Sequence, residues 1–391
     1  MISTRSKTTR LTTNRSQDFT NTHNYSGGPG VLPESVLQKT QEAIRQAPGT
    51  DISLLGISHR SAWFRNVLDE AEANIRTLLN VPYTYHILFL QGGGTMQFSM
   101  VPMNMLKERT QCADYITTGY WSEKAVAEAE KEGAVNQAWN GCHEGFHRLP
   151  APSELKLSNH AAYLHYVSNE TVEGLQFPFL PGLPHVPRVC DMSSDFLSKP
   201  FDITNYSLVY AHAQKNLGPA GVTIAIVHED VLRNAPDKLP SIMDYRLFAE
   251  HRSNFNTPPV FAIYTVNLVT RWLLDEIGGL VNMSLINSAK AAVVYAAIDL
   301  SDGFYRGRAS CDSRSQMNAS FTLPNEKLTT AFLHHACMAG FVGLEGHRSV
   351  GGIRASLYNG LTLEAAEDLA EFMNWFRSEY GCYRHSEVRN G

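Results

Sequence analysis

Cysteine is sparse and unpatterned in this chain. Its 391 residues hold six: Cys112, Cys142, Cys190, Cys311, Cys337 and Cys382. They form no CxxC pair and no zinc-type spacing, so neither a zinc finger nor a disulfide framework is encoded. Free thiols in a chain of this length fit a reducing compartment, and a cytoplasmic location is the expectation. An excess of positive charge is also lacking. Lys and Arg number 33 against 38 Asp and Glu, and the net charge of -5 gives no footprint for nucleic acid. No apolar run free of charge approaches the length of a membrane span, and no membrane association is expected. There is no GxxxxGKS motif, which argues against a nucleotide site, and no internal repeat. What is present is a 43% hydrophobic composition, ordinary for a globular protein and enough for a large domain and a smaller one.

The start of the chain stands apart. Residues 1–17 carry Arg5, Lys7, Arg10 and Arg15 among many Ser and Thr, with no acid before Asp18. Organelle targeting peptides share that composition. Ile2 and Leu11 are its only strong hydrophobes, too few for an amphipathic face, so a disordered tail over 1–20 is the expectation, with organelle targeting as the alternative.

From Pro33 to Gly279 helical and strand patterns alternate. Phe64, Val67, Leu68, Ala71, Ile75 and Leu78 recur at helical spacing, and Asn80-Val81-Pro82 stops that helix. His86 to Leu90 reads as a buried strand that opens into Gly92-Gly93-Gly94, with a helix beginning near Met96. Tyr163 to Val167, Leu208 to Tyr210 and Val222 to Val227 read as further strands. Short apolar strands alternating with helices predict an α/β fold built on a mostly parallel sheet, whose sites lie at the carboxyl ends of strands. A long helix from Val260 to Ile277 leads out of this region. Beyond it, strands at Gln316–Leu323 and Ile353–Tyr358 alternate with helices at Asn325–Phe341 and Leu363–Tyr380, an α+β arrangement. The expected division is a large domain over 34–285 and a small one formed by 21–33 with 286–391.

One lysine is out of place. Lys215 follows the apolar run Leu208-Val209-Tyr210 and precedes Gly218-Pro219. Exposed lysines favour helices and surface loops, whereas this one ends a buried-looking strand with its amine directed into a pocket. A lysine desolvated there loses its proton near neutral pH and attacks carbonyls. The plainer reading is a strand-end lysine paired with a carboxylate. Asp191 ends the preceding apolar run, His185 to Cys190. Pyridoxal phosphate needs such a pair: a lysine for its aldehyde and an acid that keeps its pyridine nitrogen protonated. Spacing alone does not separate this from a chance pair.

The surrounding residues are more specific. Asp191-Met192-Ser193-Ser194-Asp195 followed by Gln214-Lys215-Asn216-Leu217-Gly218-Pro219-Ala220-Gly221 resembles the signature of the phosphoserine aminotransferases, which are fold-type I pyridoxal-phosphate enzymes. The resemblance extends through Ser26-Gly27-Gly28-Pro29-Gly30, Ser58-His59-Arg60, Gly92-Gly93-Gly94-Thr95, Gly119-Tyr120-Trp121, Asn169-Glu170-Thr171, Asn256-Thr257-Pro258-Pro259 and Gly346-His347-Arg348 to Arg354. It implies a large domain with a seven-stranded-type sheet and a small α+β domain. In its terms Lys215 and Asp191 are the catalytic residues. Gly94, Thr95 and Gln214 hold the cofactor phosphate, Trp121 stacks on the ring and Thr171 bonds the ring oxygen. Asn256 and Thr257 reach the phosphate of a second subunit, which implies a homodimer with composite sites. Arg354 takes the substrate α-carboxylate, and His59, Arg60, His347 and Arg348 take its phosphate or distal carboxylate, the first two from the partner subunit.

Each of these residues also has an ordinary reading. The glycines make a turn, although helix-start amides plus the Thr95 hydroxyl also cradle phosphate. Trp121 packs in a core, Asn256 and Thr257 cap a helix, and the arginines pair with surface carboxylates. Two departures from the family pattern stand out. His212 replaces the usual glycine three residues before Lys215, and Ser26-Gly27-Gly28-Pro29-Gly30 replaces the more usual Ser-Ala-Gly-Pro-Ala. The activity the resemblance implies is exchange of an amino group between glutamate and 3-phosphohydroxypyruvate, giving 2-oxoglutarate and phosphoserine. Action on the phosphorylated four-carbon oxo acid of pyridoxine synthesis is a further implication. The alternatives are a serine–glyoxylate-type aminotransferase and a catalytically silent relative that binds the cofactor.

Overall fold

The computed structural model describes residues 23–108 and 110–381. The tail expected over 1–20 and Cys382 lie outside them. Seven strands form the central sheet: β1 Tyr85–Leu90, β2 Cys112–Thr117, β3 Ala134–Asn140, β4 Leu164–Val167, β5 Arg188–Asp191, β6 Leu208–His212 and β7 Thr223–His228. Their spatial order is β1-β7-β6-β5-β4-β2-β3. The pairs β2/β3, β2/β4, β4/β5 and β5/β6 are parallel, while β7 runs antiparallel to both β6 and β1. Six strands therefore share a direction, and their carboxyl ends open on one edge of the sheet.

Local chemistry accounts for the helices that border this edge. Helix α1, Glu34–Arg45, lies before α2, Ala62–Leu79. The Ser61 hydroxyl caps α2 by accepting from Phe64 N at 3.2 Å, and Asn80 ends it in the left-handed region at φ 50. Phe64, Val67, Leu68, Ala71, Ile75 and Leu79 are its buried stripe, so Leu79 rather than Leu78 completes the face. Helix α3, Gly93–Met105, starts sooner than expected because Gly92, at φ 83, turns the chain directly off β1. Helix α4, Tyr120–Ala129, follows β2. One face of the sheet packs with α2 and α5, Val260–Asp275. The other packs with α3 and α4.

A separate core gathers Tyr25 and Val31 with residues of a three-stranded antiparallel sheet, β8 Arg306–Gly307, β9 Asn318–Thr322 and β10 Ile353–Ser356. Helices α6 Leu280–Asp299, α7 Glu326–Met338 and α8 Leu363–Tyr380 cover it. The first turn of α6 packs in the core of the large sheet, through Leu280 and Met283. From Ala291 onward it packs in the second core. By length and composition α6 is apolar enough to cross a membrane, contrary to the expectation from sequence, where Lys290 interrupts the run. Lys290 is fully buried, and its ammonium donates to the carbonyls of Leu357, Tyr358 and Leu361 at 2.8–3.1 Å.

Candidate active site

Asp191 is the last residue of β5 and pairs in register with Tyr210 of the parallel neighbour β6. Directly after β6 the chain enters a single helical turn, Ala213–Asn216, which carries Lys215. The lysine was expected at a strand end. The added turn rotates its side chain back toward Asp191's strand end. Lys215 is 7% exposed, and its amine donates to Thr171 Oγ1 at 2.6 Å and Ser194 Oγ at 3.0 Å. Burial pushes its pKa down to about 8, against the opposing pull of Asp191 and Glu170. Asp191 is itself raised by burial, and Lys215 and the Ser193 amide, 2.8 Å from Oδ1, hold it toward the charged form. The result is a buried acid beside a buried amine that gives up its proton more readily than an exposed lysine.

These groups line a cleft of about 350 Å³ with Phe98, Trp121, Val167, Asn169, Ser193, His212 and Gln214. The Lys215 amine lies 5.6 Å from the centre of the Trp121 ring. Trp121 sits in the first turn of α4, where two buried carboxylates meet the helix start. Glu170 accepts from the amides of Trp121 and Ser122 and, at 2.6 Å, from the Ser122 hydroxyl; Glu173 accepts from the Tyr120 amide. Burial raises Glu170 to about 7 and Glu173 to about 8. At the start of α3 the Gly94 amide lies 2.9 Å from Nδ1 of His212, which lines the same cleft. Thr95 beside Gly94 is exposed.

The expected substrate set divides in two. Arg354, on β10, lies flat against Gly27, where a Cβ would fall 2.3 Å from the guanidinium. The alanine of the more usual pattern would therefore displace Arg354 from this position. His347 bonds Ser349 Oγ at 2.6 Å and packs on Tyr120, the neighbour of Trp121, with ring centres 4.8 Å apart. Arg354 and His347 line a second cleft with Arg308, Ser320 and Thr322, and the exposed Arg348 follows His347 in the chain. His59 and Arg60 instead precede α2, and Asn256 and Thr257 precede α5. None of these four lines either cleft. The neighbouring Asn254 donates to the His59 carbonyl at 3.0 Å, whereas Asn256 donates to Gln91 Oε1, just after β1, at 2.7 Å.

Residues 22–369 match the aminotransferase class-V family model. A phosphoserine aminotransferase from Rhodopirellula baltica is 46% identical over 91% of this chain and 95% of its own. The structure of phosphoserine aminotransferase from Bacillus circulans subsp. alkalophilus superposes with a TM-score of 0.89 at 46% identity, covering 92% of this chain and 99% of that one. The chain belongs to the phosphoserine aminotransferase family of class-V aminotransferases.

This aminotransferase uses pyridoxal phosphate. The PLP-bound phosphoserine aminotransferase from Trichomonas vaginalis matches with a TM-score of 0.84 at 35% identity, covering 90% of this chain and 99% of that one. The cleft fits that group on its own evidence. It holds a desolvated amine and a buried acid at the ends of adjacent parallel strands, and the Trp121 Nε1–H is buried without a partner. Sequence reasoning did not assign three of the aminotransferase's residues. Ser194, which bonds Lys215, and Glu170, which fixes the Trp121 turn, both fell inside matched motifs. Arg308 lies in the second cleft with its Nε unpartnered and belonged to no motif.

Proposed function

We propose that the cleft around Lys215 moves an amino group between glutamate and 3-phosphohydroxypyruvate, with 2-oxoglutarate and O-phospho-L-serine as products. The observation that carries the assignment of roles is the lowered Lys215 pKa, with Asp191 at the end of the adjacent strand. When bound, pyridoxal phosphate supplies a reactive carbonyl and a ring that withdraws electrons from the substrate Cα. Lys215 Nζ would hold that carbonyl and, once released, move the proton at Cα, with the hydroxyls of Thr171 and Ser194 orienting it. Asp191 would keep the pyridine nitrogen protonated, and Trp121 would cover the ring. Gly94, Thr95 and Gln214 would hold the phosphate, and Thr171 the ring oxygen.

Arg354 would grip the α-carboxylate with its planar fork, while His347 and Arg348 would meet the distal phosphate. His59, Arg60, Asn256 and Thr257 would act in the cleft of a second copy, making a homodimer with composite sites. Their position outside this chain's own clefts supports that reading. Two separate cores support a division into a large domain over 34–285 and a small one of 21–33 with 286–391. Free thiols at Cys112, Cys142, Cys190, Cys311 and Cys337 support the cytoplasm as its location. The same anion pocket would accept the phosphorylated four-carbon substrate of pyridoxine synthesis. The test is borohydride reduction of the loaded protein and peptide mapping: Lys215 should carry the label, and label on another lysine would overturn the assignment. Glutamate should bleach the absorbance of the loaded protein before reduction.

A further inference from the structure

Arg308 has no place in the roles above, yet it lines the cleft that holds Arg354 and His347. The small antiparallel sheet puts it there. Arg306 pairs with Thr322 and Gly307 with Phe321, and the Arg308 amide extends that ladder by donating to the Ser320 carbonyl at 2.9 Å. On the other side of β9, Ser320 pairs in register with Arg354. Residues opposite one another in a sheet share a face, so Arg308, Ser320 and Arg354 form one row across it. Two strand spacings, roughly 10 Å, separate the backbones of the two arginines. The Ser320 hydroxyl between them donates to the Val172 carbonyl at 2.9 Å, which seats the row against the turn that carries Thr171. The cleft over this row is about 230 Å³.

Two cations in one cleft are costly unless an anion meets them. The Nε of Arg308 and that of Arg354 are both buried without a partner. Arg314 shows the contrast: its Nε is also unpartnered, but its terminal nitrogens hold both oxygens of Asp299 at 2.6 and 2.7 Å. Glu173 is the carboxylate with a competing claim on Arg308. The Arg308 charge acts on it, but Glu173 Oε2 is buried with no hydrogen-bond partner, so no arginine nitrogen reaches that oxygen. An α-carboxylate carries one charge and needs one planar fork, which Arg354 supplies. A second guanidinium at the other end of the row suits a second anionic group on the same molecule. We propose that Arg308 is a specificity-determining residue that grips the distal phosphate or carboxylate of the substrate, with Arg354 on the α-carboxylate at the other end of the row. This rests on the substrate reading above and deepens it, adding a third side chain of this chain to His347 and Arg348.

The test is steady-state kinetics of the loaded protein with O-phospho-L-serine and with L-serine as amino donors to 2-oxoglutarate. Arg308→Gln should lower kcat/KM for phosphoserine by about ten- to a hundredfold, the value of one hydrogen bond to a charged group. It should change the value for serine little, because serine has no distal anion. Arg308→Lys, which keeps the charge and loses the fork, should recover part of the loss. Adding Glu173→Gln to Arg308→Gln should recover none of it. An unchanged value for phosphoserine in Arg308→Gln would overturn the proposal, and so would an equal loss for both donors. Recovery in the double variant would also overturn it, since Arg308 would then serve only as the counter-charge of Glu173. If the unsubstituted protein showed no preference for phosphoserine over serine, the substrate reading itself would fail and take this proposal with it.

Discussion

Asp191→Asn should abolish transamination and yet make Lys215 a better nucleophile in the unloaded protein. Burial is the largest influence on the amine and favours its neutral form, while Asp191 is the largest influence that favours the ammonium. The fall from the ordinary 10.5 to about 8 corresponds to about 3 kcal/mol of preference for the neutral amine. At pH 7 roughly one Lys215 in ten is then neutral, against roughly one exposed lysine in three thousand. Removing the Asp191 charge leaves the burial cost and deletes its main offset, so the midpoint should move below 8. The assay is the rate at which pyridoxal is captured by Lys215 as a function of pH, read by reduction and mass mapping. The rate should rise through a midpoint near 8 in the unsubstituted chain and through a lower one in Asp191→Asn. A midpoint near that of free lysine, or an upward shift in Asp191→Asn, would refute the reasoning. The same pKa has a consequence for stability. Between pH 8 and 10.5 the unfolded chain holds a proton on this lysine that the folded chain does not, so its burial penalty is complete below 8 and fades as pH rises.

Three further outcomes are expected. Arg348→Ala should lower kcat/KM for phosphoserine by about ten- to a hundredfold, and that for serine little, whereas Arg354→Ala should lower both, since both carry the α-carboxylate. If the sites are composite, an inactive Lys215→Ala chain mixed with an inactive Asn256→Ala/Thr257→Ala chain should regain activity in heterodimers. Proven heterodimers without activity would place the site within one chain. Lys290→Met should lower stability to urea by about 2–4 kcal/mol, because three buried carbonyls lose their donor; an unchanged midpoint would show that they find other partners.

Elements with a one-sided or fully apolar pattern are legible in the amino-acid sequence. The stripe from Phe64 to Ile75, the runs at β1, β4, β6 and β7, and α8 fall where the pattern places them, because burial is their main determinant. The edge strand β3 is not legible in this way. Its residues Ala-Val-Asn-Gln-Ala-Trp-Asn are mostly exposed or half-buried, so nothing forces alternation. Around the site, Lys215 and Asp191 can be singled out from sequence because an amine and an acid at apolar strand ends are costly unless used. Matched motifs supply Trp121, Thr171 and Arg354. The turn that aims Lys215 at Thr171 and Ser194 leaves no local signal, and neither does the pairing of Glu170 with the start of α4, since each spans elements far apart in the chain. Periodicity and composition are local and record which face a segment buries. The state of a charge depends on what is packed against it. The neutral His212 on Gly94, the lowered Lys215 and the raised Glu170 and Glu173 therefore exist only once the strand ends are brought together.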